Sequence, residues 1–244
     1  MYLKEAALMT NVKIKIYSDG ADIKDMRTVA KNEFVSGFTT NPSLMKKAGI
    51  TDYQSFARKV VAEFPKYSIS FEVFSNDEAT MLQEAELLHL LGKNVYVKIP
   101  IITISGKSTA PLIQKLSNKG ISLNITAITT MAQVKEALTA FAPETQNIIS
   151  IFVGRIADAG NDPTEFVQQS VAAVKQHPEA ELLWASTREV ANVFQAQKLG
   201  VDIITVPPTI IAKLSQIGKS AQQVSMDTVL GFEKDIKASG LSIL

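Results

Sequence analysis

Asn94-Val95-Tyr96-Val97-Lys98-Ile99-Pro100 is the stretch on which the fold turns. Successive residues of a strand point to opposite faces, so Val95, Val97 and Ile99 share one face and Asn94, Tyr96 and Lys98 the other. Three further stretches repeat the division. Ile14 and Ile16 oppose Lys15, Tyr17 and Asp19; Ile69, Phe71 and Val73 oppose Ser68, Ser70 and Glu72; Leu123 and Ile125 oppose Ser122, Asn124 and Thr126. Four strands thus carry one apolar and one polar face. The charged members, Asp19, Glu72 and Lys98, all stand near the C-terminal ends of their strands.

Working outward, β-branched runs alternate with helical periodicity along the whole chain. The strands are expected at Lys13–Asp19, Phe34–Asn41, Ser68–Phe74, Asn94–Pro100, Ile121–Ile128, Asn147–Ile156, Glu181–Thr187 and Ile203–Pro207. Helix starts are marked between them. Ser75 and Glu78 stand three apart as a capping box, Thr130 and Gln133 repeat it, and Asp162-Pro163 supplies a cap followed by proline. Gly92, Gly120 and Gly200 are expected to close helices in the left-handed conformation. A last helix is expected at about 225–238. Eight βα units in 244 residues predict an α/β fold, a (β/α)8 TIM barrel. The polar strand faces then line its interior and the charged residues lie at the end where barrel sites form. A doubly wound open sheet would carry a glycine-rich phosphate fingerprint after strand one, and Tyr17-Ser18-Asp19-Gly20-Ala21-Asp22 is none. An antiparallel sheet with one wet face is disfavoured by the helical pattern between every pair of strands. No linker or charge block divides the chain. The reading is therefore one domain, 13–244, with an extra C-terminal helix and an N-terminal extension over 1–12.

Composition removes several functions. With 46% hydrophobic and 20% charged residues, the chain has the make-up of a folded globule. Twenty-five basic residues against 24 acidic give a net charge of +1, which offers no field for nucleic acid or a membrane surface. There is no cysteine for a disulfide, thiolate zinc site or nucleophile, and two histidines, His89 and His177, cannot build a multi-histidine metal site. His89 reads as a helix-face residue, His177 as a helix-end one and Trp184 as core. No export signal or membrane span is evident, so a cytoplasmic protein is expected.

Lys98 sits among Val97, Ile99 and Pro100, where desolvation favours a neutral amine. Such an amine attacks ketones to form a Schiff base, and the iminium then serves as an electron sink for breaking a neighbouring carbon–carbon bond. Asp19 and Glu72 could divide the accompanying proton transfers. Spacing alone leaves a second reading open, a buried ion pair that only fixes the barrel interior.

Six segments carry a resemblance: Tyr17-Ser18-Asp19, Gly37-Phe38-Thr39-Thr40-Asn41-Pro42-Ser43, Val97-Lys98-Ile99-Pro100, Leu123-Asn124-Ile125-Thr126-Ala127, the run from Ile149 to Ile156, and Trp184-Ala185-Ser186-Thr187-Arg188. In this order and spacing the chain resembles the transaldolase family of Schiff-base aldolases, including its short members and the fructose-6-phosphate aldolases. The resemblance implies that Lys98 is the Schiff-base lysine and Asp19 the base for the substrate C4 hydroxyl. Glu72 and Thr126 would hold the water that shuttles protons. Asn41, Asn124 and Ser150 would bind the dihydroxyacetone part, and Arg155, Ser186 and Arg188 the phosphate. Asn41-Pro42-Ser43 also reads as an ordinary helix start, and Arg188 as a solvated first-turn residue. The lysine is itself the electron sink, so neither metal nor cofactor is called for.

Two positions bear on the reaction. The aldolase branch resembles a site with glutamine at the position of Glu72 and tyrosine at that of Phe152. Phenylalanine cannot help water protonate the carbanionic intermediate, so the pair favours transfer to an acceptor aldehyde over release. The expected activity is transfer of dihydroxyacetone from fructose 6-phosphate to erythrose 4-phosphate. The alternatives are a lyase, a transferase for a modified sugar phosphate, and a barrel that only binds sugar phosphates. Short family members resemble rings, pentameric or decameric, in which a C-terminal helix reaches a neighbour. A homo-oligomer is therefore implied, with Val229, Phe232 and Ile236 as the candidate stripe, although the same stripe would equally pack on its own barrel. Departures from the family pattern are Gly20-Ala21, Thr187 and the N-terminal extension.

Overall fold

The computed structural model describes residues 12–243, so the N-terminal extension, apart from Val12, lies outside the described residues. Residues 13–212 form one compact unit, and the residues from Lys213 onward belong to another.

The first unit is a closed barrel of eight parallel strands in sequential order. The strands are β1 (Lys15–Asp19), β2 (Val35–Thr39), β3 (Ser68–Glu72), β4 (Val95–Pro100), β5 (Leu123–Ile128), β6 (Asn147–Ile151), β7 (Ala180–Trp184) and β8 (Ile203–Val206). Between them run α1 (Ile23–Val29), α2 (Pro42–Lys47), α3 (Tyr53–Glu63), α4 (Glu78–His89), α5 (Ala110–Ser117), α6 (Met131–Ala140), α7 (Val153–Asp158), α8 (Thr164–Val174) and α9 (Ala191–Leu199). A short α10 (Pro208–Ile211) follows β8. All eight expected strands are present, each within its expected range or one residue outside it.

The faces follow the parity argument. Ile16, Phe38, Ile69, Phe71, Val97, Ile99, Leu123 and Ile125 are wholly buried. Phe38 shows what covers that outer face: its ring lies 5.0 Å from Phe64, just after α3, and 5.1 Å from Tyr67. Burial of such a ring contributes about 1.5–3 kcal/mol. On the inner face, Tyr17, Ile148, Leu183 and Ile203 cluster with Ala185, and Tyr96 and Phe152 pack against them. A Cβ at Gly37 would stand 2.6 Å from the Tyr17 ring, so only glycine leaves β2 room for it. Asp19, Ser150 and Thr205 each lie two residues beyond a member of that cluster, one layer nearer the C-terminal end.

Four local expectations are corrected. The sixth strand stops at Ile151 rather than Ile156, and Phe152 turns the chain into α7. Ser75 does not cap α4; its hydroxyl and N–H bond Glu84, and Asp77 accepts from the Thr80 N–H instead. Asp162 accepts from the Thr164 N–H, but α8 begins after Pro163. Gly92 is not left-handed, whereas Gly120 and Gly200 are. Gly92 answers to space, since a Cβ there would meet Val61 at 2.7 Å. The Thr130–Gln133 capping box forms as expected.

In the second unit, α11 (Ala221–Ser239) starts with a capping box of Ser220 and Gln223 and ends at left-handed Gly240. Val229, Phe232 and Ile236 follow one another at three- and four-residue spacing on it, along one helical stripe.

Candidate active site

Strand register builds the centre of the site. Glu72 on β3 pairs with Lys98 on β4, and Lys98 pairs with Asn124 on β5. Register partners share a face and stand one strand spacing apart, about 4.8 Å. The three polar side chains therefore meet inside the barrel. Lys98 is 5% exposed, and its Nζ lies 3.1 Å from Glu72 Oε2 and donates to the Thr40 carbonyl at 3.1 Å. Asn124 is fully buried; its Oδ1 accepts from the Ser150 hydroxyl at 2.6 Å and its Nδ2 donates to Ser70 Oγ at 2.9 Å.

On the other side of the interior, Asp19 pairs in register with Thr39, whose hydroxyl donates to Asp19 Oδ1 at 2.9 Å. Burial pushes the Asp19 carboxyl above its ordinary value, against the Lys98 charge and the Thr39 hydroxyl, which both pull it down. Asp19 and Lys98 line one cavity of about 190 Å³, together with Thr39, Asn41, Thr126, Ser150, Phe152 and Arg155. Ser186, Thr187, Arg188 and Thr205 complete its polar lining. Such a volume suits a small polar molecule and is below the range for drug-sized ligands or organic cofactors. Larger hollows of about 520 and 570 Å³ lie elsewhere, and neither is lined by Lys98 or Asp19.

The two cavity ends differ in chemistry. Near Lys98, the Thr126 hydroxyl is buried and meets no partner among the described residues, and Ala127 after it is left-handed with φ 62°. A buried polar group of this kind is a ready partner for something in the cavity. Asn41 caps α2 by accepting from the Leu44 N–H at 3.0 Å, so the helix-start reading holds while the residue also lines the cavity.

At the mouth, Ser186 is left-handed with φ 67°, a conformation costly for a non-glycine residue. Gly154 makes it possible, because the backbone approaches so closely that a Cβ there would stand 1.8 Å from the Ser186 carbonyl oxygen. Arg188 donates to that carbonyl at 2.9 Å and grips Asp158 with Nε, at 3.1 Å, and Nη2. Arg188 is thus a paired residue rather than a merely solvated one. The guanidinium of Arg155, exposed on α7, makes no hydrogen bond or ion pair among the described residues, while its backbone N–H donates to the Phe152 carbonyl at 3.0 Å.

All eleven expected site residues therefore gather at the C-terminal end of one barrel, nine of them lining the cavity. Glu72 and Asn124 stand behind it, reaching it through Lys98 and Ser150. Sequence reasoning passed over Thr39, Thr205, Gly154 and Asp158. Thr39 and Thr205 fall on inward positions of their strands, but neither strand divides into one apolar and one polar face. His177 pairs with Glu179 at 2.9 Å, and Trp184 is buried, as a core residue should be.

Residues 16–242 match the family model described as Transaldolase/Fructose-6-phosphate aldolase. The chain belongs to the transaldolase/fructose-6-phosphate aldolase family. Among its relatives, the probable transaldolase of Erythrobacter litoralis is 32% identical over 234 residues, 95% of this chain and 100% of that protein. The probable transaldolase of Sulfurihydrogenibium sp. is 33% identical over 205 residues, covering 83% and 89%. That of Dehalococcoides mccartyi is 34% identical over 204 residues, covering 83% and 91%. These matches support an enzyme of carbohydrate metabolism. Solved barrels share the fold alone. 3-Hexulose-6-phosphate synthase from Salmonella typhimurium superposes with a TM-score of 0.58 at 16% identity, over 83% of this chain and 97% of that one. A structure titled "Native KDPGal structure" gives 0.56 at 12%, over 95% and 98%. No helix among the described residues is long and apolar enough to cross a membrane.

Proposed function

We propose that this transaldolase-family chain transfers a dihydroxyacetone unit from fructose 6-phosphate to erythrose 4-phosphate through a Schiff base on Lys98. The observation that carries the reading is a buried lysine amine, 3.1 Å from one carboxylate, in a small cavity that a second carboxylate also lines. Glu72 takes the ammonium proton, and the free amine attacks the ketone carbon. Water held by Glu72 and Thr126 carries the protons as the carbinolamine loses hydroxide and the iminium forms. Asp19 removes the C4 hydroxyl proton, the C3–C4 bond breaks, and its electron pair passes into the iminium to give an enamine. Glyceraldehyde 3-phosphate leaves. The enamine then attacks the acceptor aldehyde, Asp19 returns its proton, and water releases the new ketose.

Asn41 and Ser150, with Asn124 behind Ser150, hold the three-carbon unit. Arg155, Ser186 and Arg188 hold the phosphate; a guanidinium fork suits a phosphate better than a lysine point charge. Phe152 lines the cavity and has no acidic proton to quench the enamine, which favours transfer over release. The reading includes neither metal nor organic cofactor, a cytoplasmic setting, and a homo-oligomer joined through the α11 stripe.

The test is release of glyceraldehyde 3-phosphate from fructose 6-phosphate with and without erythrose 4-phosphate. Release only with the acceptor is expected. Release without it would make the chain a lyase, and silence in both would send the search to other ketoses. Borohydride in the presence of donor should attach the sugar to wild-type enzyme and leave Lys98→Ala unmodified; an adduct on another lysine would overturn the assignment.

A further inference from the structure

We propose that Thr205 is a positioning residue for Asp19, feeding a hydrogen-bond chain from Thr205 through Thr39 that fixes the carboxylate toward the cavity. Thr39 Oγ1 lies 2.9 Å from Asp19 Oδ1 and 2.6 Å from Thr205 Oγ1. An ionised carboxylate only accepts, and each threonine hydroxyl has one hydrogen. The Thr39 hydrogen is committed to Asp19, so the short contact to Thr205 requires Thr205 to be the donor. The direction of the whole chain is therefore set.

Topology explains why these two threonines meet. β1 lies between β2 and β8; Asp19 pairs with Thr39 on one side, and Tyr17 pairs with Thr205 on the other. Both threonines point inward one layer beyond the Tyr17 ring and touch above it, 2% and 4% exposed. Thr205 is itself held from the phosphate end, where the Thr187 hydroxyl donates to its backbone carbonyl at 2.8 Å. Ser186, immediately before Thr187, lines the proposed phosphate site. The chain thus ties the residue that handles the C4 proton to the strand-end loop that receives the phosphate.

A bond that donates to a charged acceptor is strengthened when its own oxygen accepts another. Loss of the Thr205 hydroxyl should therefore weaken the Thr39–Asp19 bond and free the Thr39 rotor, while leaving Lys98 chemistry alone. The charge that acts on Asp19 is that of Lys98, which Glu72 pairs, and Arg155 and Arg188 line the same cavity. None of them changes in a Thr205 variant.

The inference rests on the proposed aldol reaction for its kinetic readout, and a second readout is independent of activity. Asp19 is titrated in the full-length protein by carboxyl 13C NMR, its resonance assigned with Asp19→Asn. Relative to wild type, Thr39→Val should raise the midpoint by about one unit or more. Thr205→Val should raise it by about half a unit, and Thr205→Ser should restore it. Thr205→Ala serves the same test should valine disturb the barrel. In single-turnover cleavage of fructose 6-phosphate, the acidic limb should move with the midpoint, while borohydride trapping stays at the wild-type level. An unmoved midpoint in Thr205→Val and Thr205→Ala beside a moved one in Thr39→Val would reduce Thr205 to a packing residue and overturn the inference. A wild-type enzyme that neither traps nor cleaves would refute the proposed reaction, and the NMR comparison would still decide the role of Thr205.

Discussion

Gly154→Ala is the substitution whose effect the backbone geometry sets most tightly. The added Cβ would fall 1.8 Å from the Ser186 carbonyl oxygen, where real contacts stay at or beyond 3.0 Å, so the two segments must part by at least 1.2 Å. Neither partner yields freely. Ser186 is already left-handed, its carbonyl accepts from Arg188, and Arg188 is in turn gripped by Asp158. Overpacking of this kind costs about 1–3 kcal/mol, a fall in melting temperature of roughly 2–12 °C at this chain length. The larger effect should be on the sugar phosphate. A displacement of about 1 Å in a positioning group costs on the order of 100-fold in kcat/KM. That loss should appear mainly as a raised KM, because the phosphate-holding residues move while Lys98 and Asp19 do not. Steady-state kinetics on fructose 6-phosphate, beside thermal unfolding, read both quantities. A variant that unfolds earlier yet keeps the wild-type KM would show that the Gly154–Ser186 approach serves packing alone, and would remove Ser186 from the phosphate site.

Phe152→Tyr should raise acceptor-independent release of dihydroxyacetone, measured as free product without erythrose 4-phosphate; a flat rate would refute the account of why transfer prevails. Asp19→Ala should still form the borohydride-trapped adduct while bond cleavage slows by about 10²–10⁴-fold, and near-normal turnover would strip Asp19 of its role. Asp19→Asn should be more stable than wild type near pH 7. A carboxyl whose folded pKa is raised costs stability in full above that pKa, and the cost fades as pH falls from there to the unfolded value, below which it is gone. The gap in melting temperature between variant and wild type should therefore close on acidification, and a gap that widens would reverse the assigned sign.

Much of this was legible because a strand's alternation is a local property. Parity alone put Lys98, Glu72 and Asp19 on inner faces, and the structure has them there. Parity says nothing about which residues stand side by side, since register is fixed between strands. The row Glu72, Lys98, Asn124 therefore emerged only from the barrel. Thr39 and Thr205 carry no such parity signal, because neither β2 (VSGFT) nor β8 (IITV) divides into one apolar and one polar face. Their hydroxyls gain meaning only when β8 closes on β1. The sixth strand ends five residues before the sequence pattern does, since Val153-Gly154-Arg155-Ile156 continues a β-like pattern. What ends it is the close passage of Gly154 beside Ser186, a tertiary contact. The Ser75 box fails for a related reason, since Glu84, six residues beyond Glu78 on α4, claims both donors of Ser75.

The inner face also separates groups already engaged from groups still available. Ser150 donates to Asn124 and Asn124 to Ser70; the Thr205 and Thr39 hydroxyls bond each other and Thr39 donates to Asp19; Lys98 meets Glu72 and Thr40. Buried polar groups that satisfy one another in this way hold a fixed geometry at low cost. Among the described residues, the cavity-lining groups whose donors make no hydrogen bond in the protein include the Thr126 hydroxyl, the Asn41 amide N–H and the Arg155 guanidinium. They offer a hydroxyl, an amide and a cation around Lys98 and Asp19. A small polyhydroxylated ketone carrying one phosphate answers all three, whereas an apolar ligand would leave every one of them desolvated and unpaired.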